Sequence, residues 1–386
     1  MKRLFLTIAL LTASLSAWAL TPNKVVFPDI EGYKTLKGDF HIHTVFSDAS
    51  VWPATRVTEA IWEGLDVIAI TEHIDTRHQK LRKEGLFTDK CDRDCSYRIA
   101  AKAAKHTDLI VIQGGEITRE MSPGHFNFIF VKDNDEICRK AELFNDSHPK
   151  AAEEALKEAQ AQGGFAFWNH PQWNKHAPNE TKWYKEHTKF LKAGLFNGIE
   201  VYNMEYCPEA HDWALKYNLT MFGNSDAHEP FFSLIDYQNG GHRPLTLVFA
   251  KERSEKGVRE ALDDRRTVVF AEKNIYGRED WVRKLYEASV KIKNVRWTEK
   301  RVYVTIENLS SVPVRFAKAP GAEQWSYQRE AELPPLSTAT VVIAALQKDH
   351  KYQPITADEV QMNVFVENFH IGAHKPLEVK YTFKRK

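Results

Sequence analysis

Cysteine is scarce in this chain: Cys91, Cys95, Cys138 and Cys207 are all that 386 residues hold. So few thiols exclude a small disulfide-stapled scaffold. No second pair stands at finger or ribbon spacing beside Cys91 and Cys95, so a thiolate zinc site is not expected either. Disulfides or inert thiols are expected instead, with three pairings open. Long apolar runs are also missing. Beyond the N-terminus nothing approaches about 18 residues, so no membrane span is expected. Neither sign of charge is in excess, with Lys+Arg at 53 against Asp+Glu at 52 and a formal charge of +1. No basic stripe tracks a phosphate backbone, so a nuclease role has weak support and a nucleic-acid partner is not expected. Internal repeats and low-complexity tracts are absent. What remains is the composition of a folded globular protein, 43% hydrophobic and 27% charged, with 16 histidines. Histidine is the commonest metal ligand, so what matters is whether these cluster or scatter.

Lys2 and Arg3 precede an apolar run from Leu4 to Leu15, and Ala17-Trp18-Ala19 sets small residues where a signal peptidase reads. This pattern predicts a secretory leader over residues 1–19 and an exported product, periplasmic or secreted. Cleavage would remove Lys2 and Arg3 and take the formal charge from +1 to −1. No cysteine near the cut marks a lipoprotein.

From Gly38 to about Phe270 short apolar runs alternate with helical stretches. Strands are expected over Asp39–His43, Leu65–Thr71, Leu109–Gly114, Phe126–Val131, Gly164–Trp168, Gly198–Tyr202, Thr220–Gly223 and Thr246–Ala250. Their continuous apolar texture is that of buried parallel strands. Helices are expected over Arg56–Glu63, stopped by Gly64, and over Lys150–Gln162, Pro208–Tyr217 and Glu255–Arg265. Repeated strand-then-helix units imply an α/β barrel or an open parallel sheet across residues 20–285. After about Tyr286 the pattern alternates, as in Val302–Ile306 and Val379–Phe383, with Leu333-Pro334-Pro335 as a turn. Residues 286–386 therefore read as a small all-β, sandwich-like domain.

The chemistry sits where the expected strands end. His41 and His43 are two apart on one strand and so point to the same side. Asp48 follows in the adjoining loop, and His73 closes the second strand. Glu116 closes the third after Gly114-Gly115, and His125 follows a Pro-Gly turn. His170 ends the fifth, and Asp226 and His228 follow Asn224-Ser225. Residues at the carboxyl ends of barrel strands converge on one mouth, so six histidines and three carboxylates are expected to meet. An all-nitrogen and oxygen set suits zinc, manganese or iron rather than copper(I) or an iron–sulfur cluster. Nine ligands exceed the needs of one tetrahedral ion and suit two or three divalent ions, with a carboxylate bridging a pair. The other ten histidines are expected in the surface or core, His176 apart.

Taken in order, Gly38-Asp39-Phe40-His41-Ile42-His43-Thr44, Ser47-Asp48, Thr71-Glu72-His73, Gly115-Glu116, Asn169-His170-Pro171 and Ser225-Asp226-Ala227-His228 resemble the successive motifs of the PHP (polymerase and histidinol phosphatase) superfamily. The likeness covers roughly residues 35–270. It implies a distorted (β/α)7 TIM-like barrel that hydrolyses phosphoesters with up to three metal ions. It implies one ion held by His41, His43, Glu116 and Asp226, a second by Asp48, His73 and His228, and a third by Glu116, His125 and His170. Glu116, Asp226 and His228 would carry catalysis around a hydroxide lying between metals. The leader and the β-rich C-terminal region resemble a secreted phosphodiesterase branch rather than the cytosolic histidinol phosphatases. Two positions depart from the common pattern: Ala49 follows Asp48 where glycine is frequent, and Glu72 replaces an aspartate.

Arg77, Arg119 and Arg243 are candidates to pair with phosphate oxygens. Trp173, His176 and Tyr202, with Trp168 and Asn203, lie just past strand ends and could wall a pocket for the organic part of a small phosphoester. Aromatic positions outnumber arginines there, which favours a diester over a monoester. The competing readings are a phosphomonoesterase, an amidohydrolase-like enzyme and a non-catalytic periplasmic binding protein. The amidohydrolase reading lacks its usual bridging lysine at the Glu116 position. No oligomeric state is read from the sequence.

Overall fold

A computed structural model describes residues 24–75, 92–143, 150–173, 180–348 and 351–385. The leader, Arg77, Cys91 and His176 lie outside the described residues. Seven short strands form the first unit: β1 (Lys34–Asp39), β2 (Val67–Ile70), β3 (Ile110–Ile117), β4 (Phe126–Ile129), β5 (Phe165–Trp168), β6 (Gly198–Asn203) and β7 (Thr220–Asn224). Strands β2, β4, β5, β6 and β7 are buried along their whole length, which accounts for their unbroken apolar runs.

Pairing is parallel from β1 through β3, as in Gly38 with Val67 and Val67 with Ile110. It is parallel again from β5 to β6 to β7. Strand β4 departs from the expected parallel pattern, pairing antiparallel with both β3 and β5. Residues 118–125 are too few to house a crossover helix, so the chain must turn back as a hairpin. The ring closes at the mouth, where Ile42 bridges Ala227 in parallel and the Asp226 amide donates to the His41 carbonyl at 2.9 Å.

The first expected strand ends early, at Asp39. Beyond it the Phe40 amide donates to Asn224 Oδ1 and the Ile42 amide to Thr71 Oγ1, so side chains replace ladder partners. Outside the ring, β8 (Leu245–Ala250) runs antiparallel to β1, and β9 (Thr267–Ala271) and β10 (Asn274–Gly277) continue that sheet. Strand β7 presses against β9 at Gly223, where a Cβ would stand 2.2 Å from Val269 Cγ1, so only glycine fits.

Helices cover the outside: α1 (Pro53–Glu63), α2 (Cys95–Ala104), α3 (Asn134–Lys140), α4 (Ala151–Ala161), α5 (Lys185–Lys192), α6 (Pro208–Lys216), α7 (Glu255–Asp263) and α8 (Glu279–Ser289). Helix α1 starts with proline in its first turn and stops at Gly64, whose φ of 76° is the left-handed cap. The thiols of Cys95, Cys138 and Cys207 are free. Burial pushes Cys138 up strongly and Cys207 to about 12, so these two are the inert thiols of the alternative reading.

The C-terminal region is an all-β sandwich. One sheet holds β11 (Val290–Trp297), β12 (Arg301–Asn308) and β15 (Thr338–Ala345). The other holds β13 (Val314–Lys318), β14 (Glu330–Leu333), β16 (Glu359–His370) and β17 (Pro376–Lys384). In β12, Val302, Val304 and Ile306 face inward between more exposed neighbours, the period of a half-buried strand. Helix α8 runs across the expected boundary. Strand β16 pairs in parallel with β10, Ile275 with Phe369 and Tyr276 with His370. The sandwich thus extends the sheet of the first unit, and one hydrophobic core spans both.

Candidate metal centre

The seven strands deliver their polar residues to one mouth. His41 and His43 follow β1, His73 follows β2, His170 follows β5, and Asp226 and His228 follow β7, while Glu116 is the second-to-last residue of β3. His125 precedes β4, and because that strand is reversed its start opens on the same mouth. His170 (φ 28°) and Asp226 (φ 52°) adopt left-handed backbone, which costs on the order of 1–3 kcal/mol per residue and recurs at functional sites.

All nine expected ligands come together. Donor atoms converge in the groups His43/Asp48/His73/His228, His41/His43/Glu116, His41/His170/Asp226 and Glu116/His125/His170, each within 4.8 Å. His41 Nε2 and His43 Nε2 face each other at 3.1 Å. Each lies 3.2 Å from Glu116 Oε2 and 3.1–3.2 Å from Asp226 Oδ1. Donor atoms about 3.2 Å apart are spaced as neighbouring ligands of one zinc-like ion, each about 2 Å from it. His73 Nε2 and His228 Nε2 flank Asp48 at 3.4 and 3.1 Å. On its other oxygen Glu116 meets His125 Nδ1 at 2.8 Å and His170 Nε2 at 3.9 Å.

The outward nitrogens explain why the rings aim inward. His41 Nδ1 is held by Glu200 Oε1 at 2.9 Å, His43 Nδ1 by Ser47 Oγ at 3.3 Å, His73 Nδ1 by Thr118 Oγ1 at 2.5 Å and His228 Nδ1 by the Asp226 carbonyl at 2.8 Å. A ring tied at Nδ1 presents its Nε2 lone pair to the centre. His170 Nδ1 is buried without a hydrogen-bond partner among the described residues. The residues present therefore fit a cluster of divalent cations.

Electrostatics point the same way. Burial alone would lower His41 and His43, but Asp226, Glu116 and, for His41, Glu200 more than offset it, so both are raised, His41 strongly. His73 and His228 rise against burial in the same manner, drawn by Glu116, Asp48 and Asp226. Burial would raise Glu116, Asp226 and Asp48, yet the neighbouring imidazoles hold all three below the usual carboxylate range. His170 is pushed down to about 4 by burial and by the charge of His125. Ionised carboxylates among basic nitrogens make a cage that stabilises added cations.

The centre floors a cleft of about 950 Å³, with Trp173, Gln172, Thr118, Asn203, Met204 and Glu205 as further walls. Trp173 is half exposed, its ring 5.0 Å from that of His125. Other expected substrate residues are placed differently. Arg243 is fully buried, bonded to Glu63 and Asp39 and stacked 3.3 Å over Phe231. This buried ion-pair network corrects the expectation of a phosphate-facing arginine. Arg119 is committed to Asp75 and the Thr118 carbonyl. Tyr202 is buried, donating its hydroxyl to the Met204 carbonyl at 3.2 Å, and lines a neighbouring cavity instead. Trp168 is core, stacked on His187 at 3.8 Å.

Sequence reasoning passed over Glu200. It is 1% exposed and accepts from His41 Nδ1, the His170 amide, Asn203 Nδ2 and Asn224 Nδ2. Its one signal was an acid inside the apolar run Gly198-Ile199-Glu200-Val201-Tyr202. Glu72 is a support, not a ligand, binding Ser47 Oγ at 2.5 Å and the Thr44 amide at 3.1 Å. Ala49 keeps ordinary negative φ, so glycine is not required there.

Residues 288–382 match a family model described as an Ig-like domain. The crystal structure of a two-domain protein from Bacteroides vulgatus ATCC 8482, containing a predicted PHP-like metal-dependent phosphoesterase, is similar with a TM-score of 0.84. It is 39% identical, and the match covers 94% of this chain and 99% of that one. A protein from Bifidobacterium adolescentis ATCC 15703 assigned as a metal-dependent phosphoesterase gives a TM-score of 0.36 at 16% identity, over 50% of this chain and 87% of that one. An amidohydrolase from Chromobacterium violaceum, solved with sulfate and no metal, gives 0.34 at 16% identity, over 50% and 88%. Curated proteins yield no match.

Proposed function

The chain belongs to the PHP-like metal-dependent phosphoesterases in their two-domain form, and on that premise we propose that it is an exported phosphodiesterase using two or three ions of zinc, manganese or iron. His41, His43, Glu116 and Asp226 would hold one ion, Asp48, His73 and His228 a second, and Glu116, His125 and His170 a third. Support for the bridging role of Glu116 is that its two oxygens face different histidines, His41, His43 and His73 on one side and His125 on the other. Bound ions supply Lewis acidity, lowering the pKa of a water and neutralising charge on the phosphoryl group. The chain's own residues set the stage. Asn169 Nδ2 donates to Glu116 Oε1 at 3.1 Å and fixes that carboxylate, and Asn203 Nδ2 does the same for Asp226 at 3.4 Å. Thr118 and Gln172 offer polar side chains at the wall, and Trp173 offers an apolar face for an ester arm.

The observation that carries the diester reading is that, among the described residues, no lysine or arginine lines the cleft. A monoester dianion calls for cationic donors around its terminal oxygens. A diester has one charge fewer and a second organic arm. Export is supported by Lys2-Arg3, the apolar run and Ala17-Trp18-Ala19. One preparation tests both: protein expressed with its leader and recovered from a periplasmic extract should begin at Leu20 and carry two or three equivalents of metal. It should cleave bis-aryl phosphate faster than mono-aryl phosphate. Metal-loaded protein that cleaves only the monoester overturns the diesterase reading, and an intact leader overturns export.

A further inference from the structure

A second cavity of about 450 Å³ adjoins the metal cleft and shares Met204, Asp226 and His228 with it. Whatever occupies it therefore abuts the ligand side chains. Its floor comes from the helical turn Phe231–Leu234 and the segment that follows. That turn is fixed from behind: the Phe231 amide donates to Glu59 Oε1 at 2.9 Å, and the Arg243 guanidinium covers the Phe231 ring. The turn thereby holds Leu234 in the wall with 54% of its surface in water, opposite Met204, which is 81% exposed. Ile235, Pro244 and Ala271 complete an apolar lining. Large apolar side chains displayed beside a polar centre gain free energy when an apolar group covers them. Charge narrows the choice. Among the described residues that line it, apart from the ligand candidates, the acidic side chains are Glu229 and Glu272, both exposed, and Arg243 is already neutralised by Glu63 and Asp39. His242 spends its Nδ1 proton on the Arg243 carbonyl at 2.7 Å and turns an acceptor nitrogen to the cavity, so among the described residues a second anion meets repulsion and no uncommitted cation.

We propose that this cavity receives an organic arm of the phosphoester, and that the preferred substrates are esters of apolar alcohols or phenols bearing no second negative charge on that arm. The inference rests on the phosphoesterase reading above. The volume lies within the range of small-molecule pockets and suits an arm of ring or short-chain size.

The test is calorimetric titration of the metal-loaded full-length protein with methyl-, propyl-, butyl- and phenylphosphonate and with 3-carboxypropylphosphonate, paired with hydrolysis of the matching aryl esters. Affinity should rise with each added methylene, up to about fourfold where it is fully buried. The terminal carboxylate should abolish that gain. In Leu234→Asn, an exposed position whose change leaves the core intact, the ratio of butyl to methyl affinity should fall toward one. A flat series in the wild type, or an unaltered ratio in Leu234→Asn, overturns the arm site even if esters are hydrolysed. A rising series with no ester cleaved sustains the arm site and overturns the phosphoesterase reading instead.

Discussion

At the scale of single residues, the side chains that meet at the mouth are held by partners from distant strands, Glu200 foremost among them. The nine candidate ligands stand in short polar clusters that punctuate apolar strands, so their types and order are visible in sequence. Glu200 is different, because what makes it important is that four donors converge on it inside the barrel. Replacing it by glutamine keeps its size but removes the charge that orients and enriches His41. Partners of metal-binding histidines typically contribute 10- to 100-fold in metal affinity. Glu200→Gln should therefore lose metal to a chelator about 10- to 100-fold more readily while its far-ultraviolet circular dichroism stays that of the wild type. Activity should return when metal is supplied in excess. Wild-type retention under chelator competition would remove Glu200 from the centre's support. Arg243 shows the converse failure of sequence reading: a cation is visible as a letter, but its burial between Glu63 and Asp39 depends on residues 180 and 204 positions away.

At the scale of elements, continuous apolar runs located most strands of the ring, and Gly64 located the end of α1, whose start at Pro53 lies three residues before the expected Arg56. Less was visible where tertiary contacts override local pattern. Helix α5, Lys-Glu-His-Thr-Lys-Phe-Leu-Lys, is short and carries just two apolar side chains, Phe190 and Leu191, and was not expected. It is fastened by His187, whose Nδ1 accepts from the Tyr184 amide at 3.1 Å while Nε2 donates to the Pro123 carbonyl at 2.7 Å. His211 fastens α6 in the same way, accepting from the Tyr206 hydroxyl at 2.8 Å and donating to the Gly277 carbonyl at 3.2 Å. Each ring must be neutral to serve as both acceptor and donor. Burial, partly opposed by the carbonyl bonds, lowers both to about 4. In the unfolded chain they titrate near about 6.5. Their contribution to stability is thus complete above about pH 6.5 and is lost as pH falls toward 4, because only the unfolded chain takes up those protons in between. The loss approaches roughly 1.4 kcal/mol per pH unit for each histidine. Urea midpoints at pH 7, 6 and 5 should fall accordingly, and His211→Phe, less stable at pH 7, should show a shallower slope by one proton. An unchanged slope in that variant would show that His211 is not among the groups responsible.

At the scale of the whole molecule, the texture changes near residue 286 from α/β to all-β, and the folded chain joins the two parts. The β10–β16 pairing continues one sheet across the junction, and the Tyr286 and Tyr381 hydroxyls meet at 2.6 Å. Val282, Leu285 and Tyr286 of α8 are buried in the same core as Val364, Phe369 and Leu377 of the sandwich. The junction also reaches the mouth, because Tyr206, just after the cleft residues Met204 and Glu205, stacks on Tyr276 at 4.2 Å and Tyr276 on His370 at 4.9 Å. Cutting the chain after residue 287 would bare the inner face of α8 and leave β10 an unpaired edge. Each large apolar side chain so exposed costs about 1.5–3 kcal/mol. Three or four of them rival the roughly 5–15 kcal/mol by which a domain is stable at all. A fragment of residues 20–287 should therefore be largely insoluble, or soluble without a cooperative thermal transition, and should hold less metal than the full chain, which should melt in a single step. If the fragment melts cooperatively within a few degrees of the full chain and binds its full complement of metal, the sandwich is an appendage and the shared core carries no functional coupling.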